Sequence, residues 1–113
     1  MGESPFRADT SQNVRSYSAF CIAPTLNSYV AHKMGSVPDV ERVLAKLQDR
    51  TLYVTVVVNH FNPAVHTEIF RKEESIIDEF EMFDFDFEVI SREGQDISEC
   101  LTDPSLRLIF MRS

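Results

Sequence analysis

The chain has few of the residues that small catalytic motifs require. Its three glycines, Gly2, Gly35 and Gly94, form neither a dinucleotide-binding turn nor a phosphate-binding P-loop. The two cysteines, Cys21 and Cys100, are isolated, which argues against a disulfide framework and a structural zinc site. No apolar run approaches the roughly 18 residues that a membrane span needs. These absences predict a soluble protein without a known nucleotide-binding motif.

The charge is unevenly distributed along the chain. Residues 1–50 hold six Lys or Arg against five Asp or Glu, whereas residues 51–113 hold five against thirteen. This acidic half disfavours nucleic acid and membrane surfaces as partners. A row of Arg42, Lys46 and Arg50 is too weak a basic signal to reverse that expectation. The N-terminus has no apolar signal core and contains Glu3 and Asp9, so we expect a cytoplasmic protein.

Sequence patterns predict a single domain over residues 16–113, after a flexible tail over residues 1–15. Strand and helix signals follow one another along the whole of this domain. They predict a short strand at Ser16–Ala23 and a brief helix at Thr25–Met34. They also predict a helix at Val37–Asp49, because apolar residues recur there at a spacing of three and four, namely Val40, Val43, Leu44 and Leu47.

The strongest fold signal is a strand, a long helix and a second strand in immediate succession. Thr51–Val58 is rich in β-branched residues, and Asn62 with Pro63 begins a helix that extends to Phe80. A second strand follows over residues 83–90, and the strands predicted at 51–59 and 83–90 run parallel. With a last strand near residues 106–111, the chain is expected to form a two-layer α/β (or α+β) sandwich around this βαβ unit.

Polar side chains gather where the two parallel strands are expected to end. Asn59 and His60 follow the first strand, Asn62 and His66 lie at the start of the long helix, and Arg92 follows the second strand. Ligands of α/β proteins bind outside the carboxyl ends of strands, and a helix N-terminus attracts anions. We therefore expect a small anion or small molecule as a ligand here, unless these side chains only cap turns.

Glu73 is an unusual residue of the long helix. With Ile69 at zero and 100° per residue, Glu73 falls at about +40° and His66 at about +60°, inside the apolar arc. A carboxyl group in that position is expected either to reach solvent or pair with a cation, or to point into a cavity with a raised pKa, as a general acid or base does. It could also lie at the margin of the apolar stripe or face a partner chain. Glu73 is therefore added to the candidate ligand-binding residues.

The stretch FDFDFEVI at residues 83–90 places three carboxylates on one side of a strand. Asp84, Asp86 and Glu88 alternate with apolar residues, so neighbours lie about 6.6 Å apart. Such spacing allows a divalent metal, but it is also typical of the solvated face of a strand at a sheet edge. His60 is expected to lie about 20 Å away, at the opposite end of the sheet, and cannot complete a metal site.

No motif in the sequence identifies a reaction, a cofactor or a family. The leading hypothesis is a non-enzymatic binding or regulatory module that self-associates or binds a protein partner. Self-association is expected to cover apolar surface, such as the outer face of Phe83, Phe85 and Phe87, if helices do not. One alternative is an anion- or small-molecule-binding enzyme that uses His60, His66, Arg92 and Glu73. Another is divalent-metal binding by Asp84, Asp86 and Glu88.

Overall fold

A computed structural model describes residues 25–101 and 103–112. The tail predicted over residues 1–15 and the strand predicted at Ser16–Ala23 lie outside the described residues. The elements of the described part are α1 (25–35), β1 (Val40–Gln48), β2 (Thr51–Val58), α2 (Pro63–Glu79), β3 (Asp84–Ser91), α3 (Ile97–Cys100) and β4 (Arg107–Met111). The strands form one mixed sheet in the order β3-β2-β1-β4, and the fold is α+β.

The predicted βαβ unit is confirmed. β2 and β3 are neighbouring parallel strands, with Thr51 opposite Asp84 and Val58 opposite Ser91. The helix between them is α2, whose observed end at Glu79 differs from the predicted end by one residue. Because the strands are parallel and in this register, both carboxyl ends lie at one end of the sheet. The last predicted strand is also confirmed as β4, which runs antiparallel to β1.

The helix predicted at Val37–Asp49 is wrong, because residues 40–48 form strand β1. This strand pairs antiparallel with β2 on one side and with β4 on the other. A bulge lies between Val40 and Arg42, so the strand contains one residue more than its partner there. The bulge reverses the alternation of side chains, and Val40 and Val43 therefore both reach the core although they are three residues apart. A spacing typical of a helix thus arose from a bulged strand.

The main core lies between one face of the sheet and the helices α1 and α2. The helices contribute fully buried side chains at a spacing of four or seven residues, namely Leu26, Val30 and Met34 of α1 and Ile69 and Ile76 of α2. The sheet contributes alternate residues of its two inner strands, Val43 and Ala45 of β1 and Leu52, Val54, Val56 and Val58 of β2. Burial of each large aliphatic side chain contributes about 1.5–3 kcal/mol, so this layer contributes most of the folding free energy.

The connection from β3 to β4 contacts the opposite face of the sheet. Lys46, which alternates with the core residues of β1, bonds Asp103 at 2.7 Å and Ser105 at 3.1 Å. Hydrogen bonds from Lys46 and Ser105 hold the pKa of Asp103 well below its ordinary value. Leu44 and Val57 of this same face are buried. The ion pair between Lys46 and Asp103 therefore fixes the connection from β3 to β4 over the sheet face that α1 and α2 do not cover.

Candidate functional site

The structure brings Asn59, His60 and Glu93 together at the carboxyl ends of β2 and β3. His60 Nδ1 lies 3.2 Å from Glu93 Oε1, and the Phe61 backbone N–H donates to Glu93 Oε2 at 3.1 Å. Asn59 Oδ1 accepts from the Gly94 N–H at 2.8 Å. The bonds from His60 and from the Phe61 N–H hold the pKa of the Glu93 carboxyl below its ordinary value, and the bond from His60 has the larger effect. The side chains that follow β2 therefore bind residues that follow β3.

A positive φ explains why Glu93 takes this position. Glu93 and Gly94 have φ values of 48° and 80°, so the chain turns through two left-handed residues directly after β3. A non-glycine residue in that region costs free energy, which the bonds to His60 and Phe61 offset. Glu93 was missed in the sequence analysis, although a turn at Glu93-Gly94 just after a strand end was a usable signal.

The predicted cation of this site, Arg92, is engaged elsewhere. Its Nε donates to Glu41 Oε1 at 2.7 Å, its Nη2 to Glu41 Oε2 at 3.4 Å, and its Nη1 to the Gln95 backbone oxygen at 3.0 Å. The hydrogen bond and charge of Arg92 lower the pKa of Glu41. The guanidinium charge is therefore already paired, and a carboxylate, Glu93, occupies the position where an anion was expected to bind.

Asn62 and His66 lie at the N-terminus of α2, as expected from the sequence. Asn62 Oδ1 accepts from the Ala64 N–H at 2.9 Å, and this bond caps the helix. The His66 ring lies against Phe61, with ring centroids 4.6 Å apart. Its Nε2 is buried and has no hydrogen-bond partner within the described residues. His66 Nε2 therefore lacks a partner among the described residues, while Asn62 Oδ1 is used by the helix cap.

Glu73 lies at the edge of the buried side of α2. It is half-buried, between the fully buried Ile69 and Ile76 along the helix. Burial raises the pKa of the Glu73 carboxyl to about 7, and the neighbouring charge of Glu74 adds to the effect. A large fraction of this carboxyl group is therefore protonated at neutral pH. No bond joins Glu73 to His66, which lies about two helical turns away.

Exposed apolar side chains continue from Glu73 around α2. Phe61, Phe70 and Ile77 are 61%, 55% and 44% exposed, whereas their neighbours Ile69 and Ile76 are fully buried. His66, Phe70, Glu73 and Ile77 form a row along one side of the helix, and Phe61, which precedes α2, lies against the His66 ring. We call these five side chains the α2 stripe. The apolar arc of the sequence is thus wider than the surface that the sheet covers.

The three carboxylates of β3 are exposed, and the aromatic residues between them are not. Asp84, Asp86 and Glu88 share the solvent side of β3, an edge strand of the described sheet. Within residues 25–101 and 103–112, no three His, Cys, Asp or Glu side chains lie close enough to hold one metal ion. Phe85 and Phe87 stack at 5.6 Å on the other side and pack on the core. Helices therefore cover the aromatic surface that self-association was expected to cover.

Comparison with known proteins adds no identification. No protein-family model matches the chain, and no curated protein matches it either. In the part of the chain that the structure describes, no helix has the length and apolar character to cross a membrane. Cys100 is a free, half-buried thiol, and Cys21 lies outside the described residues.

Proposed function

We propose that the protein is a non-enzymatic binding module that self-associates through the α2 stripe. The observation that carries this proposal is the exposure of Phe61, Phe70 and Ile77 beside the stripe of α2 that is buried in the core. Large contiguous apolar patches on a soluble domain mark interaction sites. As the sequence predicts, the module acts in the cytoplasm.

A second copy of the chain is the partner that suits the spacing of the stripe. His66, Phe70, Glu73 and Ile77 are separated by four, three and four residues, a pattern that is symmetric about its centre. A two-fold axis between Phe70 and Glu73 sets two antiparallel α2 helices side by side. His66 then meets Ile77 of the other copy, and Phe70 meets Glu73. The same patch thereby contacts itself, as a two-fold dimer interface requires.

The area of the stripe argues for a weak dimer. Aromatic side chains bury about 150–250 Å² each, so the exposed parts of Phe61, Phe70 and Ile77 offer on the order of 300–400 Å² per copy. A stable interface buries about 800 Å² per partner, and transient ones bury less. The acidic charge of both copies opposes association further. We therefore expect a reversible dimer that forms at high micromolar concentration.

Sedimentation velocity over a concentration series tests the proposal. The wild-type sedimentation coefficient should rise with concentration, and Phe70→Ser with Ile77→Ser should abolish the rise while leaving the folded circular dichroism spectrum unchanged. Leu108→Ser with Met111→Ser is the matched control, since these β4 side chains are 47% and 55% exposed. A wild-type chain that remains monomeric throughout, or a control that loses association equally, would overturn the proposal.

The anion- or small-molecule-binding enzyme is a second candidate. His66 Nε2, beside the N-terminus of α2, has no hydrogen-bond partner among the described residues. This favours the candidate, because a ligand oxygen could accept or donate a hydrogen bond there. The pairing of Arg92 with Glu41 weakens it. An amide NMR titration with phosphate should shift His60, His66 and the first turn of α2 saturably, and His60→Ala with His66→Ala should remove the effect. The absence of saturable shifts would reject this candidate.

Metal binding at Asp84, Asp86 and Glu88 is the third candidate. The three carboxylates share one exposed side of β3, and two of them could bind a hard cation whose other ligands are water. Substoichiometric Mn²⁺ should then broaden the amide signals of residues 84–88 selectively. Uniform or absent broadening would count against this site.

A further inference from the structure

We propose that self-association through the α2 stripe takes up a proton at Glu73 of each copy, so that pH controls the dimer. This inference rests on the proposed self-association. It assigns to Glu73 a role in regulation rather than in catalysis.

The position of Glu73 within the stripe carries the inference. Glu73 is three residues after Phe70 and four before Ile77, so its side chain neighbours both exposed apolar groups on the helix surface. It is already half-buried in the single chain. Within the described residues, its carboxylate has no hydrogen bond or ion pair. Any partner that covers both Phe70 and Ile77 must also remove water from Glu73.

Among residues 25–101 and 103–112, no cation is placed to stabilise the charge of Glu73. On α2 the neighbouring Glu74 repels it, and the ammonium of Lys72 lies 3.7 Å from Glu68 instead. The strand packed against α2 presents Phe85 and Phe87 to the core, and α1 presents Tyr29, whose ring contacts Phe80. The ammonium of Lys33 lies over the Tyr29 ring. The surroundings are therefore apolar or negatively charged.

The consequence for the dimer follows from linkage. Burial already raises the pKa of Glu73 to about 7, and contact with Phe70 of the second copy removes more water from the carboxyl group. Dimerisation then favours the protonated form, so the association constant falls as the pH rises through neutrality. Because two carboxyl groups titrate per dimer, we expect the dissociation constant to rise at least about 10-fold between pH 6 and pH 8.

The experiment is sedimentation equilibrium at pH 6, 7 and 8 on the wild type, Glu73→Gln and Glu74→Gln. Glutamine keeps the shape of glutamate and carries no titrating proton, so Glu73→Gln should associate equally well at all three pH values. Glu74→Gln is the matched control on the adjacent residue and should keep the wild-type pH dependence. Repeating the series with His66→Gln removes the other titratable group of the stripe and assigns the proton to Glu73.

Two kinds of failure can be told apart. If the wild type dimerises with a dissociation constant independent of pH, or if Glu73→Gln keeps the wild-type pH dependence, the proton linkage is wrong and self-association stands. If neither the wild type nor Glu73→Gln dimerises at any pH while both remain folded, the proposed function fails and the linkage with it.

Discussion

Arg112 fixes the end of β4 to the start of the fold, and its removal should be costly. Its Nε donates to the Val40 backbone oxygen at 3.0 Å, and its Nη2 donates to the backbone oxygens of Gly35 at 2.7 Å and Val37 at 3.1 Å. Gly35 is the last residue of α1, so the guanidinium also serves the carbonyl end of that helix. One side chain thus joins α1, β1 and β4.

The magnitude follows from these three bonds. A hydrogen bond to a charged group is worth about 1.5–3 kcal/mol when buried. Arg112 is exposed, so water replaces part of each lost bond, and Arg112→Ala should lower the free energy of unfolding by about 2–3 kcal/mol. That is a large share of the roughly 5–15 kcal/mol typical of a domain.

Urea denaturation followed by circular dichroism measures this loss. With a slope of about 1–3 kcal/mol per molar urea, the midpoint should fall by about 1–2 M. Arg107→Ala is the control, because Arg107 is an exposed arginine at the other end of β4 whose side chain forms no bond with the described residues. If the urea midpoint of Arg112→Ala lies within about 0.2 M of that of Arg107→Ala, the reasoning is refuted.

Three further predictions concern single side chains. Glu73→Gln should stabilise the dilute protein at pH 8 and have no effect near pH 4, because a carboxyl whose pKa is raised to about 7 on folding opposes folding only when ionised. Solvent screening of this half-exposed group limits the gain in unfolding free energy to about 1 kcal/mol. Equal changes in the urea midpoint at both pH values would contradict this prediction. Asn62→Ala should lower the free energy of unfolding by about 1 kcal/mol because it removes the cap of α2, whereas Asn62→Asp should retain the cap. Equal thermal midpoints of the two variants would exclude the cap as the cause. Asp84→Asn with Asp86→Asn should leave the free energy of unfolding unchanged, or raise it by up to about 0.5 kcal/mol, because like-charge repulsion is relieved. A clear fall in the thermal midpoint would indicate that these carboxylates have a stabilising partner.

The parts of the fold predicted correctly were those with one dominant local signal. β2 is apolar on both alternations because it is an inner strand whose residues 54–58 are all buried, and α2 has both a cap at Asn62 and a long apolar stripe. β1 was mistaken for a helix because the spacing of Val40 and Val43 reflects a bulge, which depends on pairing with β2 and has no local sequence signal.

The candidate site could be located from the sequence, but its bonds could not be predicted. The grouping of Asn59 and His60 with the residues after β3 follows from parallel strands, whose carboxyl ends lie together. The pairing of Arg92 with Glu41 depends on the position of β1, which the predicted helix placed wrongly. Glu73 stood out because a helical wheel needs only the helix itself, without its neighbours.

The order of the strands has a consequence for how the chain folds during synthesis. The β1–β2 hairpin and the β2-α2-β3 unit join segments that are close in sequence, so both can form while later residues are still being added. β4 pairs with β1, about 65 residues earlier, and Arg112 then bonds the carbonyls of residues 35–40. Until β4 arrives, the outer edge of β1 presents unpaired backbone groups to other chains. A nascent chain at this stage therefore exposes the edge of β1 to aggregation, and pairing with β4 covers that edge.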